Sequence, residues 1–249
     1  MNIEYFNEWS PNLNQNMELK VYGHAGKPVL VFPSMNGRFF EFENFGMIDS
    51  IKWFLENGKV QVFTVDSLDS QSWTNWNAPL ADRSRRHDDF DHYITGEVIP
   101  FIAKKNSSTK KILTTGCSMG AYHAINFFFR HPDLFDALIG LSGVAKLTMF
   151  VGDYMDENVY LNSPLLYLKN LADEGVLNLY RQSKIILCTG QGAWEEPMNA
   201  DMNALAVLLT EKNIPYWLDI WGNDVIHDWP WWQKQLPYFL EKLGYKENL

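Results

Sequence analysis

The stretch Lys111-Ile-Leu-Thr-Thr-Gly-Cys-Ser-Met-Gly-Ala-Tyr-His123 decides the fold. Ile112 to Thr115 form a short apolar and β-branched run of the kind that makes a buried strand, and residues 121–130 continue with helical spacing. Between them stands Gly116-Cys-Ser-Met-Gly120, a G-x-S-x-G turn. A serine hydroxyl is a poor nucleophile at neutral pH. It must be held clear of the backbone, beside a base and beside donors for a developing oxyanion. A sharp strand-to-helix turn does this: the two glycines remove side chains that would collide where strand and helix nearly touch, and the helix N-terminus offers N–H groups to negative charge. A glycine-rich turn with an inert serine would carry the same letters, so the rest of the chain has to supply a base and an acid.

Working outward, residues 28–32 (Pro-Val-Leu-Val-Phe) are a continuous apolar run of the kind buried on both faces of a sheet, 60–65 read as another buried strand, and 137–141 and 184–189 read as further strands. Residues 3–8 and 17–22 alternate and flank a turn-rich stretch, which predicts an antiparallel pair, and 216–221 reads as the last strand. Helical spacing is expected over 48–55 and 201–212, and through Phe90, Ile94, Val98 and Ile102, with Pro100 predicting a kink or restart. Pro230 stands near the start of an aromatic helix that begins at Trp229, where a missing N–H costs nothing. Strands alternating with helices imply an α/β fold, a mostly parallel sheet with helices on both faces. No linker or repeat divides the chain, so 1–249 is expected to be one domain. Residues 144–183, after the sixth strand, form a helical insertion, either a lid or a peripheral helix pair.

In such sheets reactive groups collect beyond the carboxyl ends of the strands, and the chain order nucleophile, acid, histidine is the one this fold requires. His227 follows the last strand and every candidate acid, so it is the expected base. His123 is expected to be a packed helix residue, and His24, His87, His92 and His131 to serve at the surface or as caps. Glu195 and Glu196 fall in the loop after the penultimate strand, where the acid belongs. Glu195, three residues after Gly192, is placed first, with Glu196 and Asp201 as alternatives and Asp224 and Asp228 too close to His227 in sequence. Oxyanion donors are expected from the backbone N–H of Met119 and that of Met35 or Ser34, the latter in the Pro33-Ser-Met-Asn-Gly37 loop.

The formal charge of −9 argues against nucleic acid and anionic membrane surfaces as partners. The one dense basic run, Arg83-Ser-Arg-Arg-His87, is followed by Asp88, Asp89 and Asp91 and reads as a solvated helix face. The N-terminus lacks the pattern of a signal peptide and no apolar run would span a bilayer, which sets a cytoplasmic expectation. Cys117 and Cys188, at strand ends, are expected to be reduced core thiols, with a disulfide between them left open. No cofactor or metal is expected, and the oligomeric state is not legible. Aromatic residues make up 15% of the chain, and Trp73, Trp76, Trp194 and Trp229, with Ser34, fall in loops that suit a substrate mouth, although tryptophan packed as core or lid fits the same letters.

Several segments together resemble a known family: Ser72-Trp-Thr-Asn-Trp76, Gly116-Cys-Ser-Met-Gly120, His131-Pro-Asp-Leu-Phe135, Leu141-Ser-Gly143, Asn162-Ser-Pro-Leu-Leu166 and His227-Asp-Trp-Pro-Trp-Trp232. The chain resembles the esterase D-type branch of the α/β-hydrolases, which includes S-formylglutathione hydrolases, feruloyl and acetyl-xylan esterases and mycolyltransferases. The resemblance implies an α/β-hydrolase fold, a triad of Ser118, His227 and Glu195, and oxyanion roles for Met35 and Met119. The expected activity is a serine carboxylesterase acting on a small-molecule ester, an acylated sugar or aryl ester. An acyltransferase using the same acyl-enzyme and a non-catalytic binding protein are the alternatives.

Overall fold

Continuous apolar runs have no face to give to water, and the fold puts them where neither face meets it. The computed structural model describes residues 1–106 and 111–246. Its strands are β1 (Ile3–Ser10), β2 (Gln15–Tyr22), β3 (Lys27–Phe32), β4 (Val60–Val65), β5 (Ile112–Cys117), β6 (Phe135–Leu141), β7 (Lys184–Thr189) and β8 (Trp217–Ile220). They form one sheet in the order β1-β2-β4-β3-β5-β6-β7-β8. β2 runs antiparallel to both its neighbours, and β3 to β8 are parallel. β3, β4 and β5 are buried throughout. β1 and β8 are the edges, and both leave residues partly exposed.

Side chains alternate across a strand, so each central strand feeds two cores. Leu30 and Phe32 of β3, Phe63 and Val65 of β4 and Leu187 of β7 join Phe90, Phe127 and Tyr180 on one face. Val29, Val31, Val62, Leu113, Ile139 and Ile186 join Phe54, Trp232 and Phe239 on the other. The chain passes from β3 outward to β4, then crosses back over β3 to β5. That reversal opens a crevice at the carboxyl ends of β3 and β5, where the loop after Phe32 and the turn after Cys117 meet.

Helical regions depart from expectation where local geometry intervenes. The helix expected over 48–55 is broken into Met47–Ser50 and Lys52–Glu56, preceded by Glu41–Asn44, with Gly46 at φ 71° between the first two turns. The kink expected from Pro100 lies upstream of it: Leu80–Tyr93 widens to a π-turn over Ile94–Val98 before Ile99–Lys105. A wider turn accommodates a proline that has no N–H to give and whose ring would strike a carbonyl of the preceding turn. The insertion comprises Thr148–Val151, Glu157–Leu161, Pro164–Asn170 and Glu174–Arg181.

The basic run is not a uniformly solvated face. Arg83, Ser84 and His87 are buried in the Leu80–Tyr93 helix, while Arg85 is exposed. Arg83 donates to the carbonyls of Ser72 and Trp73 and, at 2.8 Å, to that of Phe150. These carbonyls stand in for water around its charge and tie the 72–76 loop to the insertion. The cysteines are both free and buried, and β6 lies between their strands, so no disulfide joins them. Burial pushes both thiols above their ordinary range.

Phe127 lies fully buried and stacked on Phe32, 4.9 Å between centroids. Truncating it removes a ring from beneath the central strand, and Phe127→Ala is expected to lose about 3–5 kcal/mol of stability. Val207→Ala, at an exposed helix position, should stay within about 0.5 kcal/mol of the parent. Urea unfolding of the two variants beside the parent checks this.

Candidate active site

The turn at Ser118 is strained because strand and helix come closer than side chains permit. A Cβ on Gly116 would fall 2.4 Å from the Gly120 carbonyl carbon, and one on Gly120 would fall 2.3 Å from the Phe32 oxygen. Ser118 sits at φ 57° and ψ −121°, and its N–H donates to Leu141 O at 2.9 Å, which fixes the turn to the end of β6. Met119 opens the Met119–Arg130 helix, so its N–H has no helical partner.

His227 approaches from the loop after β8, and its Nε2 lies 2.8 Å from Ser118 Oγ. That loop is laced to the one after β7. His227 N–H donates to Ala193 O at 3.1 Å, Gly192 N–H to Val225 O at 2.8 Å and Gln191 N–H to Gly222 O at 3.2 Å. The glycines are required here too: a Cβ on Gly190 would fall 2.1 Å from Val225 O.

Glu195, at the start of the Glu196–Glu211 helix, is buried with Oε1 3.3 Å from His227 Nδ1. The contact is an ion-pair distance without hydrogen-bond alignment, for neither His227 Nδ1 nor Glu195 Oε2 has a hydrogen-bond partner among the described residues. Such contacts in free enzymes commonly tighten once substrate is bound. Oε1 also accepts from Ser142 Oγ at 2.7 Å, and Ser142 Oγ in turn accepts from Trp232 Nε1 at 3.1 Å. Trp232 packs edge-on against the His227 ring, 5.0 Å between centroids.

The alternative acids are engaged elsewhere. Glu196 is exposed, and Asp201 accepts the Ala145 N–H at 2.9 Å and pairs with Lys146 at 3.4 Å, holding the start of the insertion. Asp228 caps the Trp229–Lys242 helix, and Asp224 is exposed.

Opposite Ser118, the loop after β3 offers fewer donors than its length suggests. Ser34 N–H and Oγ both donate to Glu41, at 2.6 Å each, and Asn36 N–H donates to Asp69 Oδ2 at 3.1 Å. Met35 N–H has no acceptor among the described residues, which selects it over Ser34 as the available donor. Burial pushes the Glu41 carboxyl above its usual range.

The four tryptophans divide. Trp73 is fully buried in a cluster with Met119, Tyr122 and Leu147, so it is core and not mouth: its flat apolar ring fills the space under the insertion. Trp194 is 83% exposed at φ 71°, and Trp76 is 64% exposed with the Arg83 guanidinium over its ring. Trp229 is half-buried and stacks on Phe45 with ring centroids 4.5 Å apart. Ser34 is turned toward Glu41. Sequence reasoning assigned no role to Ser142, Trp232, Glu41 or Asp69. The Leu141-Ser-Gly143 and Trp231-Trp232 motifs contained the first two, but nothing in their spacing named a partner.

Among the described residues no group of three or more His, Cys, Asp or Glu side chains is placed to hold a metal ion, and no helix is long and apolar enough to cross a membrane.

The family model described as "Putative esterase" matches residues 10–243. No curated protein matches the sequence. Among solved structures, a ferulic acid esterase is 17% identical, with a TM-score of 0.75 and 97% of each chain covered. An S-formylglutathione hydrolase from Staphylococcus aureus is also 17% identical, with a TM-score of 0.69 over 97% of this chain and 96% of that one. One from Agrobacterium tumefaciens is 13% identical, with a TM-score of 0.73 over 97% and 95%. The fold is the α/β-hydrolase fold that these structures share.

The histidines away from Ser118 also divide. His123 is buried on its helix, as expected, and its Nε2–H donates to Asp69 Oδ1 at 2.8 Å. His24 and His92 are exposed, and His131 donates to Asp91 at 2.8 Å. His87 is neither at the surface nor a cap: it is fully buried, stacked on His123 at 5.4 Å and against Trp73 at 4.8 Å. Burial first, then the nearby His123 and Arg130, holds it well below the ordinary histidine range. It is therefore neutral when folded and takes up a proton on unfolding below about pH 6.5. The unfolded chain then binds more protons, and this contribution to stability falls as the pH drops, by up to about 1.4 kcal/mol per unit. The stability difference between the parent and His87→Phe should accordingly change between pH 7 and pH 5 in favour of the variant. Urea titrations at the two pH values measure it.

Proposed function

The chain belongs to the Esterase family, and from that premise we propose that it is a serine carboxylesterase that forms an acyl-enzyme on Ser118. The observation that carries the reading is the 2.8 Å contact between His227 Nε2 and Ser118 Oγ, at a turn that holds the serine clear of its own backbone.

Ser118 Oγ attacks the ester carbonyl carbon while its proton passes to His227 Nε2. The carbonyl oxygen becomes an oxyanion facing the N–H groups of Met119 and Met35, and each such donor lowers the barrier by about 3 kcal/mol. The tetrahedral centre collapses as His227 returns the proton to the leaving alcohol oxygen, leaving an acyl-serine. A water molecule then repeats the sequence, giving its proton to His227 and its oxygen to the acyl carbon, and Ser118 is restored. Glu195 keeps the Nδ1 proton in place and stabilises the imidazolium. Its bond from Ser142 orients the carboxylate without neutralising it.

The substrate we assign is a small acyl ester whose alcohol or acyl part is an aryl group or a sugar. The exposed rings of Trp194 and Trp76 and the stacked Trp229–Phe45 pair support it, since flat apolar surfaces beside polar groups suit such rings. The Thr148–Val151 turn shares a cluster with Met119, which supports a covering role for the first part of the insertion.

A fluorophosphonate probe should add once to the parent, at Ser118, and the parent should turn over p-nitrophenyl acetate. Ser118→Ala and His227→Ala should lose the adduct and lower kcat by about 10⁴ or more, and Glu195→Ala by about 10⁴. Intact-mass spectra and turnover on the same samples decide. A folded parent that takes no adduct would sink the esterase reading.

A further inference from the structure

Three consecutive N–H groups, of Ser34, Met35 and Asn36, lie in the loop that faces Ser118. Peptide planes in a turn rotate readily, and a donor left unclaimed at an active site has no reason to keep one direction. Here the outer two are claimed by different carboxylates. Glu41 takes Ser34 N–H on Oε2 and Ser34 Oγ on Oε1, both at 2.6 Å. Asp69 takes Asn36 N–H on Oδ2 at 3.1 Å, and its Oδ1 is held by His123 at 2.8 Å from within the helix that carries the nucleophile. The Asn36 amide oxygen accepts from Thr74 Oγ1 at 2.6 Å, and Asn36 itself is at φ 58°. The turn closes through Gly37 N–H to Ser34 O at 2.8 Å, and a Cβ on Gly37 would fall 2.6 Å from Glu41 Oε1. The glycine thus admits the carboxylate beneath the loop.

We propose that Glu41 and Asp69 are positioning residues that clamp the Ser34–Met35–Asn36 turn from both sides, so that Met35 N–H alone remains free and aimed at the oxyanion. The proposal rests on the esterase reading of Ser118. Neither carboxylate stabilises the oxyanion itself, because like charges repel. Both act through the backbone they hold, and they set direction and not charge. Asp69 also links the loop to the Met119–Arg130 helix through His123, so the two oxyanion donors are referenced to one frame.

Glu41→Ala and Glu41→Gln separate position from charge. Glutamine keeps an acceptor for Ser34 N–H and offers its NH₂ to Ser34 Oγ, while removing the negative charge. With p-nitrophenyl acetate, Glu41→Ala should lower kcat by about 10–100-fold with KM within about twofold, since the lost interaction is made in the transition state. Affinity for trifluoroacetophenone, whose adduct with Ser118 carries an oxyanion, should fall by the same factor. Glu41→Gln should restore both to within about threefold of the parent. Circular dichroism melts confirm that the samples are folded, and rates are expressed per fluorophosphonate-titrated site.

The clamp is overturned if Glu41→Ala keeps its kcat and ketone affinity per titrated site, or if Glu41→Gln loses as much as Glu41→Ala. A parent that neither hydrolyses the ester nor takes the fluorophosphonate removes the reaction itself, and with it both readings.

Discussion

The constraint on which the rest depends is the near-contact between the first turn of the Met119–Arg130 helix and the end of β3. Gly120 lies so close to the Phe32 carbonyl that no side chain fits between them. This approach forces the chain at Ser118 into a conformation that L-residues rarely adopt, and it brings the helix N-terminus beside the loop that follows β3. The strain is of order 1–3 kcal/mol, and it is sustained because β5 and the helix are packed on both sides by apolar layers. Phe127 stacks on Phe32 one helical face away from the elbow, so the core that fills the fold also holds the turn shut.

Much of this was legible. β3, β4, β5 and β7 announce themselves because a strand covered on both faces is written mostly in apolar and β-branched letters. The G-x-S-x-G turn follows from a steric demand that glycine meets, and the order of serine, glutamate and histidine from the order of the strands that carry them. The helical segments were less legible, since Gly46 and Pro100 act through the turns around them and not at their own positions. His87 was placed at the surface and Trp73 left between mouth and core for one reason: both sit in polar stretches, and polarity averaged along the chain does not reveal which side chain turns inward. Arg83 belongs with them, because a buried guanidinium is tolerated only where carbonyls from two distant segments converge, and those segments are 67 residues apart in the chain for Phe150.

The polar groups around Ser118 form two arms. One runs from Trp232 through Ser142 to Glu195 and His227, and ends on the serine hydroxyl. The other runs from His123 through Asp69 to Asn36 and ends on the loop opposite. Each arm is made of side chains from different elements, which is why spacing along the chain did not reveal them. Both are buried up to their ends at His227 and Asn36, so a hydrogen bond within either is stronger than the same bond at the surface, and a broken one more costly.

The lacing of the loop after β7 to the loop after β8 has a mechanical consequence. Ala193, Gly192 and Gln191 hold the segment containing His227 through main-chain bonds, so the loops that carry His227 and Glu195 form one unit beside the edge of the sheet. Ser118 is fixed to the end of β6 through its own N–H, and the Ser142–Glu195 bond ties that side to the laced pair. The spacing of imidazole and carboxylate is thus set within one laced pair of loops, whereas the spacing of serine and imidazole spans two units of the fold.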